Sequence, residues 1–290
     1  MGNKKHVNKN LERLSVIWLI ALILFLRWAV VEPFKIPSGS MIPTLLIGDH
    51  LFVSKSAYDI RLPFSNVPLI KVSDPQRGDV IVFEYPRDDE NKGKFYIKRL
   101  LAIAGDRVEV RGGVPLINGQ IIEQAMSPRA DTLRIPGHEP SESEFSLKEF
   151  IPGSKYTPHW VQRDNDRLEY LPDFKQQLFA RTGRDCIEIG QAYNTLLDPL
   201  ALNEVCPFTI PEGMYFMMGD NRDHSSDSRY FGFVDRKYIK GKAVMIWMSL
   251  PLAAYEMQQP LVPAIISHLK AFVSMWTNIP RLKRAGMGIR

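Results

Sequence analysis

Leu116-Ile117-Asn118-Gly119-Gln120-Ile121-Ile122 sets one apolar pair on each side of an Asn-Gly step. Asn-Gly tolerates the positive φ that both central residues of a type I′ turn require, so the stretch predicts a tight antiparallel hairpin. Working outward, His50-Leu51-Phe52-Val53, Asp79-Val80-Ile81-Val82-Phe83, Tyr96 to Ala104 and Val108-Glu109-Val110 are short β-branched or aromatic runs bounded by Gly, Pro and Asp. Residues 32–122 therefore read as the first part of an antiparallel β core. From 123 to 210 the chain becomes rich in Pro, Ser, Glu and Arg with weak periodicity, which reads as a large inserted lobe. Strand patterning returns at Tyr215-Phe216-Met217-Met218 and Ala243 to Met248, so 211–290 is read as the second part of the core. Within it, 250–276 is an amphipathic insertion. Leu261 to Trp276 is interrupted by Pro263, His268 and Lys270, and reads as a helix packed on the core or lying in a membrane interface. Arg281-Leu282-Lys283-Arg284 reads as a solvated edge strand.

At the other end, Leu14 to Leu26 is almost wholly apolar, and Trp28-Ala29-Val30-Val31 resumes after Arg27. A helix through Val31 is about 27 Å long at about 1.5 Å per residue, enough for a bilayer core if Arg27 snorkels. Lys4, Lys5, Lys9 and Arg13 precede it, which keeps the basic segment 1–13 cytoplasmic and sends the rest across. A cleavable signal peptide shares these features, but Ala29-Val30-Val31-Glu32-Pro33 lacks paired small residues, so 14–31 reads as an uncleaved anchor. In the oxidising compartment beyond, Cys186 and Cys206 can form a disulfide. Two cysteines are too few for a structural zinc site, and the six histidines lack ligand spacing, so no metal or cofactor is expected. The net charge of +5 is scattered or terminal, with no aromatic-interleaved basic stripe, which argues against nucleic-acid binding.

Chemistry concentrates at two places. Ser38-Gly39-Ser40-Met41-Ile42-Pro43-Thr44-Leu45 is a serine-bearing turn a few residues beyond the anchor. A serine hydroxyl needs a base within hydrogen-bond reach, and His50 and His224 are candidates of the commonest type. Lys98 is another, provided its amine is neutral. Phe95-Tyr96-Ile97 and Leu100-Leu101 surround it with apolar side chains, while strand alternation turns Arg99 to the opposite face. Without other evidence, a strand-edge lysine and a plain turn are the simpler readings of these features.

Glu32 to Leu45, Gly78-Asp79-Val80, Tyr96-Ile97-Lys98-Arg99 with Gly105-Asp106, Gly219 to Gly232 and Gly241-Lys242-Ala243 resemble, in order, the sequence boxes of bacterial type I signal peptidases. The resemblance implies an antiparallel β catalytic core of that family's type. It implies Ser40 as nucleophile, Lys98 as general base, and Ser38 with the Ser40 N–H as oxyanion donors. It further implies that Ser225 orients the lysine, that Asp220, Asp227 and Arg229 support the site, and that Phe34, Ile36, Pro37, Met41, Leu45, Tyr96 and Ile97 line two shallow pockets. The implied substrates are secretory preproteins emerging from the translocation machinery, cut after a small-x-small motif. The implied address is the outer face of the bacterial cytoplasmic membrane, in contact with lipid.

Residues 123–210 and 250–275 match nothing in that pattern, and one span stands where the best-known members have two. A dedicated peptidase for a pilin-like or conjugation substrate shares these features, as does an inactive signal-peptide-binding module, against which the intact Ser40 and Lys98 argue. A self-cleaving Ser/Lys repressor is disfavoured by the absence of a helix-turn-helix segment.

Overall fold

The structure is a computed structural model that describes residues 13–19, 31–62, 67–126, 144–156, 159–164, 205–252, 261–275, 281 and 283–289. Sixteen strands are described, and the largest sheet has seven of them in the order β1-β2-β16-β5-β6-β14-β15. These are β1 (Val31–Lys35), β2 (Asp49–Ser54), β5 (Val80–Glu84), β6 (Phe95–Ala102), β14 (Met214–Met218), β15 (Val234–Asp235) and β16 (Ile239–Ser249). Every paired neighbour in this sheet is antiparallel. Strand β2 shows how the sequence selects its face: Asp49, Leu51 and Val53 point inward while His50, Phe52 and Ser54 are half-exposed.

β16 is the spine, running between β2 and β5 with register shifts against both. Such bulges bend a strand and raise its twist. Val80, Leu51, Ala243 and Ile246 form one core cluster with Ile36, Met41 and Leu45 from the serine turn. A second cluster on Ile81, Phe83, Leu100, Met217 and Phe231 packs the centre of the sheet.

The Asn118-Gly119 hairpin is present, with φ of 54° and 76° at its two central residues. It joins β8 (Val114–Ile117) to β9 (Gln120–Ile121) in a four-stranded sheet with β7 (Arg107–Arg111) and β13 (Val205–Thr209). The segment read as a looser lobe contains a three-stranded sheet of β10 (Glu123–Met126), β11 (Glu144–Phe150) and β12 (His159–Asp164). A further hairpin pairs β3 (Asp59–Arg61) with β4 (Pro68–Lys71). Cys206 is disulfide-bonded, and Cys186, its expected partner, lies outside the described residues.

The termini differ from expectation in detail. Residues 13–19 are helical with exposed apolar side chains, Trp18 at 73%, but residues 20–30 lie outside the described residues. Val31, read as the last residue of the anchor, instead begins β1 and pairs with Ser54. Among the described residues, no helix is long and apolar enough to cross a membrane. The helix Leu261–Met275 rests on Leu250 and Leu252 through Ala271 and leaves Leu269, Phe272 and Val273 exposed. The Arg281 to Arg284 segment is not a solvated edge: Arg281 is buried, its Nη1 lies 3.7 Å from Asp49 Oδ1, and Arg284 donates to Asp49 Oδ2 at 2.6 Å. The reason is Asp49, a fully buried carboxylate that requires cationic partners.

Gly48 closes the serine turn at a positive φ of 89°, and a Cβ there would sit 2.0 Å from the Leu250 carbonyl oxygen. Gly48→Ala is expected to cost about 2–4 kcal/mol, read as a lower midpoint in chemical denaturation of the detergent-solubilised protein.

Candidate active site

Lys98 sits fourth in β6, opposite Ile81 of β5, and its side chain is buried on the face that meets the serine turn. Its Nζ lies 2.6 Å from Ser40 Oγ. Burial drives the Lys98 pKa down to about 8, opposed by the more distant Asp227 and Asp220 carboxylates. At pH 7 about a tenth of such amines are neutral, against well under a thousandth at the ordinary value. Strand alternation sends the next side chain the other way. Arg99 is fully buried and grips Asp220 with two bonds of 2.9 and 2.7 Å.

Asp220 also accepts from Thr44 Oγ1 at 2.5 Å, tying the serine turn to the loop after β14. Asp227 caps the four-residue helix Ser228–Phe231, accepts from the Gly219 N–H at 3.1 Å and pairs with Arg229 at 2.8 and 2.9 Å. Burial pushes both carboxyls up, yet Arg99 on Asp220 and Arg229 on Asp227 outweigh it and hold them below the usual range. Each is a buried charge whose loss strands its partner, a defect that generally costs about 3–5 kcal/mol.

A cavity of about 830 Å³ opens beside Ser40. Phe34, Ile36, Pro37, Ser38, Tyr96, Ile97, Asn221 and His224 are among the residues that line it. Met41 and Leu45, read from the sequence as pocket residues, do not: both are fully buried in the core. The turn explains this, since the Leu45 N–H donates to the Met41 carbonyl at 2.9 Å and the helical spacing puts both side chains on the inner face.

Ser225 also departs from expectation. Among the described residues its buried Oγ has no hydrogen-bond partner and makes no bond to Lys98, whose amine is engaged with Ser40. It packs instead against Gly219, where a Cβ would lie 2.2 Å from Ser225 Oγ and 2.4 Å from the Ser40 carbonyl oxygen. Only a glycine permits that approach.

The histidines read as alternative bases fall apart on position. His50 packs edge-on against Trp247 and His268 and lies 3.1 Å from the Gly48 carbonyl through Nδ1, while His224 is exposed at the cavity wall. Among the described residues, no three His, Cys, Asp or Glu side chains converge as metal ligands. Sequence reasoning missed Glu149, His159, Arg163 and Arg222, all buried behind the site. Their signal was faint: in β12, His159 and Arg163 share a face with the buried Val161, placing charge-bearing residues where a core face was being written.

A match to the signal peptidase family, peptidase S26, spans residues 10–248. The chain belongs to that family. It is 34% identical over 256 residues to signal peptidase I of Buchnera aphidicola subsp. Schizaphis graminum, covering 86% of this chain and 77% of that one. Signal peptidase I of Pseudomonas aeruginosa is 34% identical over 80% of this chain and 70% of its own, and that of Aquifex aeolicus 34% over 84% and 86%. A solved signal peptidase I from Enterococcus faecalis V583 shares 26% identity, with a TM-score of 0.28, over 59% of this chain and 98% of that one. The chain is thus a serine endopeptidase of the signal peptidase I type, acting in signal peptide processing.

The depressed Lys98 pKa carries a stability signature. Between about pH 8 and the unfolded value of 10.5, the unfolded chain binds the proton that the folded chain has released, so stability rises with pH across that window. The rise is expected to total about 3 kcal/mol. It should be missing from the stability curve of Lys98→Met, measured by urea denaturation at closely spaced pH.

Proposed function

We propose that this chain is a membrane-anchored Ser/Lys endopeptidase that removes signal peptides from secretory preproteins after a small-x-small motif. The observation that carries the reading is the 2.6 Å approach of a buried, pKa-depressed lysine to Ser40 Oγ at the wall of a cavity. Neutral Lys98 Nζ takes the hydroxyl proton as Ser40 Oγ bonds to the scissile carbonyl carbon, and the π electrons move onto the carbonyl oxygen. Ser38, exposed at the cavity wall, and the Ser40 N–H are the donors assigned to that oxyanion. Collapse of the adduct expels the new amine, which receives the proton from Lys98, and leaves an ester on Ser40. The amine of Lys98 then deprotonates a water that hydrolyses the ester.

Ser225 is assigned to the Lys98 side of the site, contributing the hydroxyl that the amine meets when Ser40 is acylated. Asp220, Asp227 and Arg229 hold the loop in place. Phe34, Ile36, Pro37, Tyr96 and Ile97 form the apolar wall for the small residues before the cut. The anchor, residues 14–30, places the enzyme at the outer face of the bacterial cytoplasmic membrane. Ser40 lies nine residues beyond Val31, an extended reach of at most about 30 Å. That is where a signal peptide held in the bilayer presents its cleavage site.

With a purified preprotein as substrate, Ser40→Ala and Lys98→Ala are each expected to abolish cleavage, and His224→Ala to retain most of it. Ser38→Ala should lose roughly 100-fold in kcat with little change in KM. The kcat/KM of the wild type should rise with pH through about 8 as Lys98 loses its proton. Wild-type-like cutting by folded Lys98→Ala contradicts the mechanism.

A further inference from the structure

The inserted segment reaches the back of the catalytic loop with charge. Glu149 of β11 and His159 of β12 lie directly opposite one another in the sheet, and both side chains are buried. Glu149 meets Arg222 in a bidentate pair of 2.5 and 2.6 Å, with neither side chain exposed. Arg222 then donates from Nε to the Gly219 carbonyl at 3.1 Å. Gly219 is the residue on which Ser225 Oγ and the Ser40 carbonyl oxygen converge.

The same sheet holds neighbouring points of the loop. The Gln162 N–H donates to the Asp220 carbonyl at 2.8 Å and Arg163 Nε to Asp223 at 3.0 Å. His159 Nε2 stands between Glu149 and Asp220 at 3.4 and 3.9 Å. The loop in turn grips the nucleophile, with Asn221 donating from its backbone to Ser40 O at 3.1 Å and from its side chain to Gly39 O at 3.1 Å.

We propose that Glu149 is a positioning residue of the peptidase, acting through Arg222 and Gly219 on Ser225 and the Ser40 turn. The inserted sheet is then a working part of the site. This rests on the Ser40/Lys98 reading above. Arg222 lies two residues after Asp220 and next to Asp223, so a carboxylate behind it keeps the guanidinium fixed and its Nε aimed at Gly219. Burial pushes the Glu149 carboxyl up, but Arg222 and His159 outweigh that and keep it at about 2, so it stays ionised at working pH. Burial and the nearby Arg99 lower the His159 pKa, leaving its imidazole neutral there.

The full-length protein in detergent micelles tests this on a preprotein substrate, with folding followed by circular dichroism. Glu149→Gln keeps the shape but removes the charge, and is expected to lower kcat roughly 10- to 100-fold with KM within about twofold. Glu149→Asp should restore part of the loss. In a Ser225→Ala background the same Glu149→Gln change should cost markedly less, because both act on one unit. Full additivity, or wild-type kcat in folded Glu149→Gln, overturns the proposal. If Glu149→Gln does not fold, His159→Gln carries the test, with an expected drop of several-fold in kcat and wild-type kcat as the contrary result. Ser40→Ala is run alongside. Activity surviving there overturns the Ser/Lys reading itself, whereas an inactive Ser40→Ala beside a fully active Glu149→Gln overturns only the positioning role.

Discussion

A lysine amine kept dry against a serine hydroxyl is the constraint on which the rest of this structure depends. Burying an ammonium costs free energy, and the folded chain lowers that cost by letting Lys98 surrender its proton at about pH 8. The apolar residues of β5 and β6 do the drying, with Ile81 directly across from Lys98 and Val82 across from Ile97. Arg99 shows the complementary requirement. It follows Lys98 immediately, and its buried charge needs a carboxylate partner, which on the same side would raise the amine's pKa. Period-two alternation turns it away, and Asp220 accepts it with full bidentate geometry.

Once Arg99 is buried, the loop after β14 is committed. Asp220 must stay for Arg99, Thr44 binds Asp220, and the serine turn is thereby fixed to that loop. Asp227 and Arg229 brace the next stretch of the loop, and Glu149 with Arg222 brace it from behind. Buried ion pairs of this kind contribute little net stability compared with apolar packing, but removing one partner is severe. Their value here is geometric, since they hold the backbone around Ser40. The C-terminal segment repeats the device, with Arg281 and Arg284 meeting buried Asp49 beneath the same turn.

The parts legible in the sequence were those written in short-range patterns. The Asn118-Gly119 hairpin, the strands around Lys98 and the division of Lys98 from Arg99 all follow from period two and turn chemistry. Met41 and Leu45 were misread because a residue's place beside the nucleophile does not say which way it points. The i to i+4 turn that buries both appears only in the folded backbone. The bond expected between Ser225 and Lys98 was an inference about a pair 127 positions apart, and the structure gives that amine to Ser40 instead. Glu149 and Arg222 were invisible for a related reason: their pairing spans 73 residues and begins in a segment with little periodicity.

Site-specific titration of Lys98 tests the central claim most directly. Selective 13C labelling of lysine side chains, with Lys98→Met to assign the resonance, reads the protonation of this one amine by NMR. The account predicts a midpoint at about 8, moving up toward the ordinary lysine value when the protein is unfolded. A midpoint near 10.5 in the folded protein contradicts it, because the amine beside Ser40 would then be charged at working pH and unable to take the serine proton.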